Sequence, residues 1–203
     1  MGSGTVFSLH YGAGNHVALR RSIFSSFVLI GIVTLILNVA VFIWLDPILR
    51  LLQVPQDIYG MMRSYLWIIF CGIVFTFIYN FYASLLRAVG DSVTPLWFLA
   101  VSVVLNIALD LFFILQLDWG IQGAAAATVL AQGVAALGII IYTYRRRPEL
   151  RWHHEDMCFD RTCLKEIASF STLTCIQQSV MNLGILMVQG LSLIHISEPT
   201  RPY

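Results

Sequence analysis

The sequence predicts an all-α, polytopic membrane bundle, and three observations carry that prediction. First, of 203 residues 58% are hydrophobic and only 11% charged, with a mean hydropathy of +0.79. An average soluble chain carries about 25% charged residues, so a soluble domain of this size would lack the polar groups to cover its surface. Second, five charge-poor runs are each longer than 20 residues, and about 20 suffice to cross the hydrocarbon core as a helix. Third, lysine and arginine are distributed unevenly between alternate connections. Lipid offers no hydrogen-bond partners, so spanning segments are helices or closed barrels. Barrel strands alternate with period two over about 10 residues; these runs are continuous, and helices follow.

Residues 1–11 are apolar but too short to span, and read as the second half of a helix. The first full span is 22–45, between Arg20-Arg21 and Asp46-Pro47. The second is 64–86, between Arg63 and Arg87. The third is 92–117, with one internal charge, Asp110; Pro95 marks its start, where proline is tolerated. The fourth is 119–144, closed by Arg145, Arg146 and Arg147, and the fifth is 167–190. Short turns at 89–91 and 118–120 imply antiparallel neighbours. Positive loops stay in the cytoplasm. Arg20, Arg21, Arg87, Arg145, Arg146, Arg147, Arg151, Arg161 and Lys165 fall on one side, and only Arg50 and Arg63 on the other. That asymmetry puts the loops near Arg20, Arg87 and Arg145 inside.

A net charge of +1 gives no basic footprint for nucleic acid, and the hydrophobicity excludes disorder. The first residues have no basic stretch or long apolar core of a signal peptide. Cys71 and Cys175 lie in apolar runs, and Cys158 and Cys163 in a cytosolic loop where disulfides are rare. His153, His154, Cys158 and Cys163 lack the tight spacing of zinc ligands and read as a solvated loop. There is no Walker loop, dinucleotide fingerprint, His-Glu-x-x-His or Gly-x-Ser-x-Gly. The chain is therefore expected not to be an enzyme, and to draw energy from an ion gradient or a partner.

Asp110 is the most informative residue. A mid-membrane carboxylate costs about 3 kcal/mol on insertion scales, and such groups mark ion or proton pathways. Asn106 lies four residues earlier on the same helical face. Asn80 and Thr76 in the second span, and Thr128 and Gln132 in the fourth, are each one turn apart. Together these residues are placed to line one polar pocket between three helices, or to make interhelical hydrogen bonds. Gln177, Gln178 and Asn182 give the fifth span a polar face; Gln132, Gln178 and Asn182 are candidate substrate-cavity residues. Gly123, Ala127 and Ala131 recur every four residues, which favours close helix packing.

Several of these segments resemble one family. The stretch 11–15 (Tyr-Gly-Ala-Gly-Asn) followed by Arg20-Arg21 is similar to the turn after the second helix of multidrug and toxic compound extrusion (MATE) transporters. The stretch 86–95, from Leu86 through Gly90-Asp91 to Pro95, resembles that family's turn between helices four and five. The stretches 106–110 and 120–128 resemble its fifth and sixth helices. The resemblance covers about residues 5–190 and implies a bacterial plasma-membrane antiporter of two six-helix lobes. Such a protein would export amphipathic, often cationic, compounds against H+ or Na+, with no cofactor beyond that ion. It implies an ion-coupling site at Asp110, Asn106, Asn80 and Thr128. A further helix-four asparagine of the pattern falls at Ala83, and its first-helix aspartate has no counterpart.

On this reading residues 1–144 are a partial N-lobe, beginning at the end of helix two. Residues 145–164 are the interlobe loop, and 165–190 the first helix of the C-lobe. The rest of the transporter is missing. Residues 191–203 resemble a translated sequencing adapter and are set apart as a non-native tail; Glu198, Pro199, Arg201 and Pro202 would interrupt a helix. Expected partners are small molecules and membrane lipid. Two other readings stand beside it. A lipid or polysaccharide flippase needs basic residues within its spans, and here Arg63 is the sole candidate, near an end. A helical scaffold needs no buried carboxylate.

Overall fold

A computed structural model describes the backbone of residues 2–51, 54–150 and 161–197, with side chains at all of these except 161–164 and 190–197. The elements are α1 (Gly2–Gly12), α2 (His16–Leu51), α3 (Gln56–Cys71), α4 (Ile73–Ala88), α5 (Val93–Leu115), α6 (Gly120–Arg146), a 3-10 turn (Pro148–Leu150) and α7 (Arg161–Ser197). Among the described residues there is no strand.

The turns are built by the residues that the chain's local chemistry demands. At the end of α1, Gly14 has φ +68°. The amide of Asn15 donates to the His10 carbonyl at 3.1 Å, and that of Gly14 to the Tyr11 carbonyl at 3.0 Å. This is a Schellman ending, which glycine reaches without strain. The Asn15 side chain then caps α2 by accepting from the Ala18 amide at 3.1 Å. The same device recurs at Gly90, φ +88°. There Asp91 N–H donates to the Leu86 carbonyl at 2.9 Å, and Asp91 itself accepts from the Thr94 amide (3.1 Å) and hydroxyl (2.9 Å). Tyr142 of α6 adds a 3.4 Å hydrogen bond to the same carboxylate.

Four segments have the length and apolarity to cross a membrane: α2, α5, α6 and the bent pair α3–α4. The first run extends beyond the expected 22–45. Charge bounded that reading, whereas α2 continues through Pro47 to Leu51. With 36 residues it is about 54 Å long. The expected second span is not one straight helix. It starts earlier, at Gln56, and bends by 40° at Gly72. A Cβ at Gly72 would collide with the Val129 side chain of α6, so glycine permits the close approach there. The expected fifth span, 167–190, falls within one continuous helix, α7. Its helix continues through 191–197, into the segment set apart as a tail. Residues 198–203 and the loop residues His153, His154 and Cys158 lie outside the described residues, and the Cys163 side chain does too.

The core lies at the α1, α2 and α4 junction. Phe7, Leu19, Ile23, Phe81, Leu85 and Leu86 are all buried there. Phe81 meets Phe7 and Phe27 edge-on, with ring centroids 6.1 and 5.1 Å apart. α5 and α6 pack through small residues, with Gly123, Ala127 and Ala131 buried. A Cβ on Gly138 would lie 2.6 Å from the Phe98 ring. Most large apolar side chains of α2 and α5 face outward, among them Leu35, Ile43, Trp44, Val104 and Leu111. In a membrane segment these face lipid or neighbouring helices.

Candidate polar site between α4, α5 and α6

Helical spacing sets the site. Thr76, Tyr79 and Asn80 share one face of α4; Leu99, Ser102, Val103 and Asn106 share one face of α5; Thr128, Ala131, Gln132 and Ala135 share one face of α6. These three faces enclose a cavity of about 280 Å³. Three of its hydrogen bonds run between helices and two within one. Thr76 donates its hydroxyl to the Gln132 amide oxygen. Asn106 donates to Thr128 Oγ1 at 3.3 Å, and Thr128 donates to the Ala124 carbonyl at 3.0 Å. Asn80 donates to the Thr76 carbonyl at 2.8 Å, one turn back on its own helix. Tyr79 reaches the Pro95 carbonyl at 2.8 Å.

These contacts use amide nitrogens and hydroxyl protons as donors. The amide oxygens of Asn80 and Asn106 accept nothing among the described residues. The cavity is thus lined by neutral oxygen acceptors, a donor set that suits a hard monovalent cation or a hydrogen-bonded water. Among the described residues no cluster of three His, Cys, Asp or Glu could hold a metal.

Asn80, Asn106, Thr128 and Gln132 are therefore brought together, as their spacing suggested. Asp110 is not part of the lining. It stands one turn along α5 from Asn106, partly exposed, with Oδ1 buried and without a hydrogen-bond partner. Gln178 and Asn182 lie apart from this site. Both are exposed on α7 and hydrogen-bond to each other at 3.3 Å. Gln178 borders a different cavity, with Ser3, Leu29 and Thr174. Ala83 is 1% exposed, within the apolar core.

Tyr79 and Ser102 line the cavity and were missed in the sequence. Ser102 lies four residues before Asn106, and Tyr79 three after Thr76, so helical spacing alone would have found both. A second cavity of about 340 Å³ lies on the other side of α4, among Thr34, Ile73, Phe77 and Ser84. Thr76 and Asn80 border both cavities, and neither lining holds an acidic or basic side chain.

At the opposite end from Arg87, Asp46 ties α2 to α3. It lies just past the apolar run, accepting from the Tyr59 hydroxyl and from Arg63 Nε, each at 2.9 Å. The Tyr59 hydroxyl, and next to it Arg63, hold the Asp46 carboxyl below the usual carboxylate range.

A bundle of this topology, with a polar pocket between three of its apolar helices, is that of a polytopic membrane protein. The profile of the MatE family matches residues 1–112, more than half of the chain, and the chain belongs to that family. It is 45% identical over 102 residues to the "Probable multidrug resistance protein YpnP" of Bacillus subtilis (strain 168), covering 50% of this chain and 23% of that protein. It is 29% identical over 201 residues to the "Probable multidrug resistance protein YoeA" of the same organism, covering 97% and 41%. The fold matches an outward-facing MATE family transporter of the MOP superfamily with TM-score 0.83 at 21% identity, over 95% of this chain and 43% of that one. An inward-facing form matches with TM-score 0.78 at 23% identity, over 83% and 39%. The chain spans less than half the length of the curated relatives it matches. Like its family, it is a multi-pass integral membrane protein and not an enzyme.

Proposed function

We propose that this chain forms part of an ion-coupled exporter of amphipathic small molecules, with H+ or Na+ bound beside Asp110. The observation that carries the reading is a buried carboxylate oxygen without a partner, one turn from a cavity of uncharged oxygen acceptors. An intramembrane carboxylate in this setting is costly unless a proton or cation neutralises it. Asn106, Asn80 and Thr128 would serve as ligands or as the polar surround of that ion, and Gln132 would tie α6 to α4 beside them. Ion loading at Asp110 removes a buried charge and favours a different packing of α4, α5 and α6. A compound that prefers one of the two packings is then carried across as the ion returns. The names of YpnP and YoeA as multidrug resistance proteins support the choice of cargo.

The test uses the full-length protein that carries this sequence, expressed in drug-sensitive cells. Asp110→Asn should abolish efflux of a cationic dye at normal membrane abundance, while Gln178→Ala on α7 leaves it within twofold. Full efflux by Asp110→Asn would remove the coupling role.

A further inference from the structure

The sharpest departure from a straight span is the bend at Gly72, and the molecule is built around it. A break in a spanning helix frees backbone groups that lipid cannot satisfy, so neighbouring helices must do so. Here the last carbonyls of α3 keep backbone partners at the Gly72 cap, and the Phe70 carbonyl accepts in addition from Nδ2 of Asn38 of α2 at 2.8 Å. Asn38 is half-buried and faces this carbonyl across 32 residues of sequence. On the other side of the break, Gly72 lies against Val129, one residue past Thr128 on α6. The next turn of α4 carries Thr76, bonded to Gln132, and then Asn80. Nearer its start, α3 is tied again to α2 through Arg63 and Asp46. α3 packs against both α2 and α6, and α4 against α6, and the two halves meet at one glycine.

We propose that Gly72 is a hinge and that Asn38 is a positioning residue, fixing the angle at which α4 presents Thr76 and Asn80 to the polar cavity. Asn38 lines neither cavity that contains these residues. It acts through the backbone of α3. Its consequence for transport rests on the exporter reading; the hinge itself does not.

The experiment measures the spin-label distance between Met62→Cys on α3 and Arg87→Cys on α4, both exposed sites. It is made in the full-length protein with its native cysteines replaced by serine. Asn38→Leu removes the donor and should lengthen and broaden the distribution, as the bend opens. Asn38→Gln keeps an amide and should restore much of the narrow distribution. Gly72→Ala, which pushes against Val129, should also shift the distance, and adding Val129→Ala should reverse that shift. This second pair decides the matter if Asn38→Leu does not fold. In transport, Asn38→Leu should lower turnover several-fold with KM for the exported compound changed less than twofold, and Asn38→Gln should recover it. Unmoved distances in both Asn38→Leu and Gly72→Ala overturn the hinge. Moved distances with unchanged turnover overturn the positioning role. A protein that exports nothing, yet shows the distance shifts, refutes the exporter reading and leaves the hinge standing.

Discussion

Thr76 and Gln132 meet across the α4–α6 interface, and the consequence is measurable one side chain at a time. Interhelical hydrogen bonds in membranes are worth about 0.6 kcal/mol on average. A double-mutant cycle of Thr76→Val and Gln132→Leu in detergent unfolding should give a coupling energy of about that size. A coupling near zero would mean that the pair is not formed. Asp46 offers a second residue-scale test. Its carboxyl is held below the usual carboxylate range by Tyr59 and Arg63. A carboxylate shifted down contributes stability above its unfolded value and loses it as pH falls through the lowered one. The α2–α3 tie should therefore be intact at neutral pH and weaken only in acid. Spin-label mobility at Met62→Cys should rise at low pH in the wild-type chain, and Asp46→Asn should show the raised mobility at every pH. These residues differ in how far the sequence revealed them. Asn80, Asn106, Thr128 and Gln132 were legible because helical spacing puts them at common depth on three runs. Asn38 was not. A lone asparagine in an apolar run says nothing about a carbonyl on another helix until the bend at Gly72 exists.

At the scale of elements, glycine has two roles here, and one glycine has neither. Gly90 closes a turn with φ +88°. Gly138 and Gly123 allow α5 and α6 to touch; a Cβ on Gly123 would sit 3.0 Å from the Cβ atoms of Phe113 and Trp119. Gly60 of α3 has nothing within 4 Å of where a Cβ would be. Gly138→Val should destabilise by about 1–3 kcal/mol through overpacking. Gly60→Ala should stabilise by about 0.5–1 kcal/mol through helix propensity alone. Thermal unfolding of the two variants checks the contrast; equal effects would mean that the α5–α6 contact is not as close as described. Helix existence was readable from the apolar runs, because a span needs length and little else. Helix ends were not, since charge marks where lipid stops rather than where hydrogen bonding stops. That is why α2 runs past Asp46 and Pro47 and why α3 begins at Gln56, ahead of Arg63.

The molecule as a whole is a set of helices whose outward faces are apolar and whose polar atoms converge between α4, α5 and α6. Membership of the MatE family was legible in the segments at 11–15, 86–95, 106–110 and 120–128, the first three of which lie within the family match. The position of Asp110 was not fully so. Spacing placed it on the face of Asn106, but the cavity ends a turn short of it. Asp110 is thus expected to control the pocket from its edge, by charge, rather than as one of its walls.

The most direct test is gradient-driven transport in proteoliposomes containing the full-length protein, wild type against Asp110→Asn. Proton and Na+ gradients are imposed separately, and accumulation of a fluorescent amphipathic cation is followed. The account predicts that one of the two gradients drives accumulation in the wild type. Asp110→Asn should lose that accumulation while still binding the dye. Accumulation by Asp110→Asn equal to the wild type, under the same gradient, would contradict it.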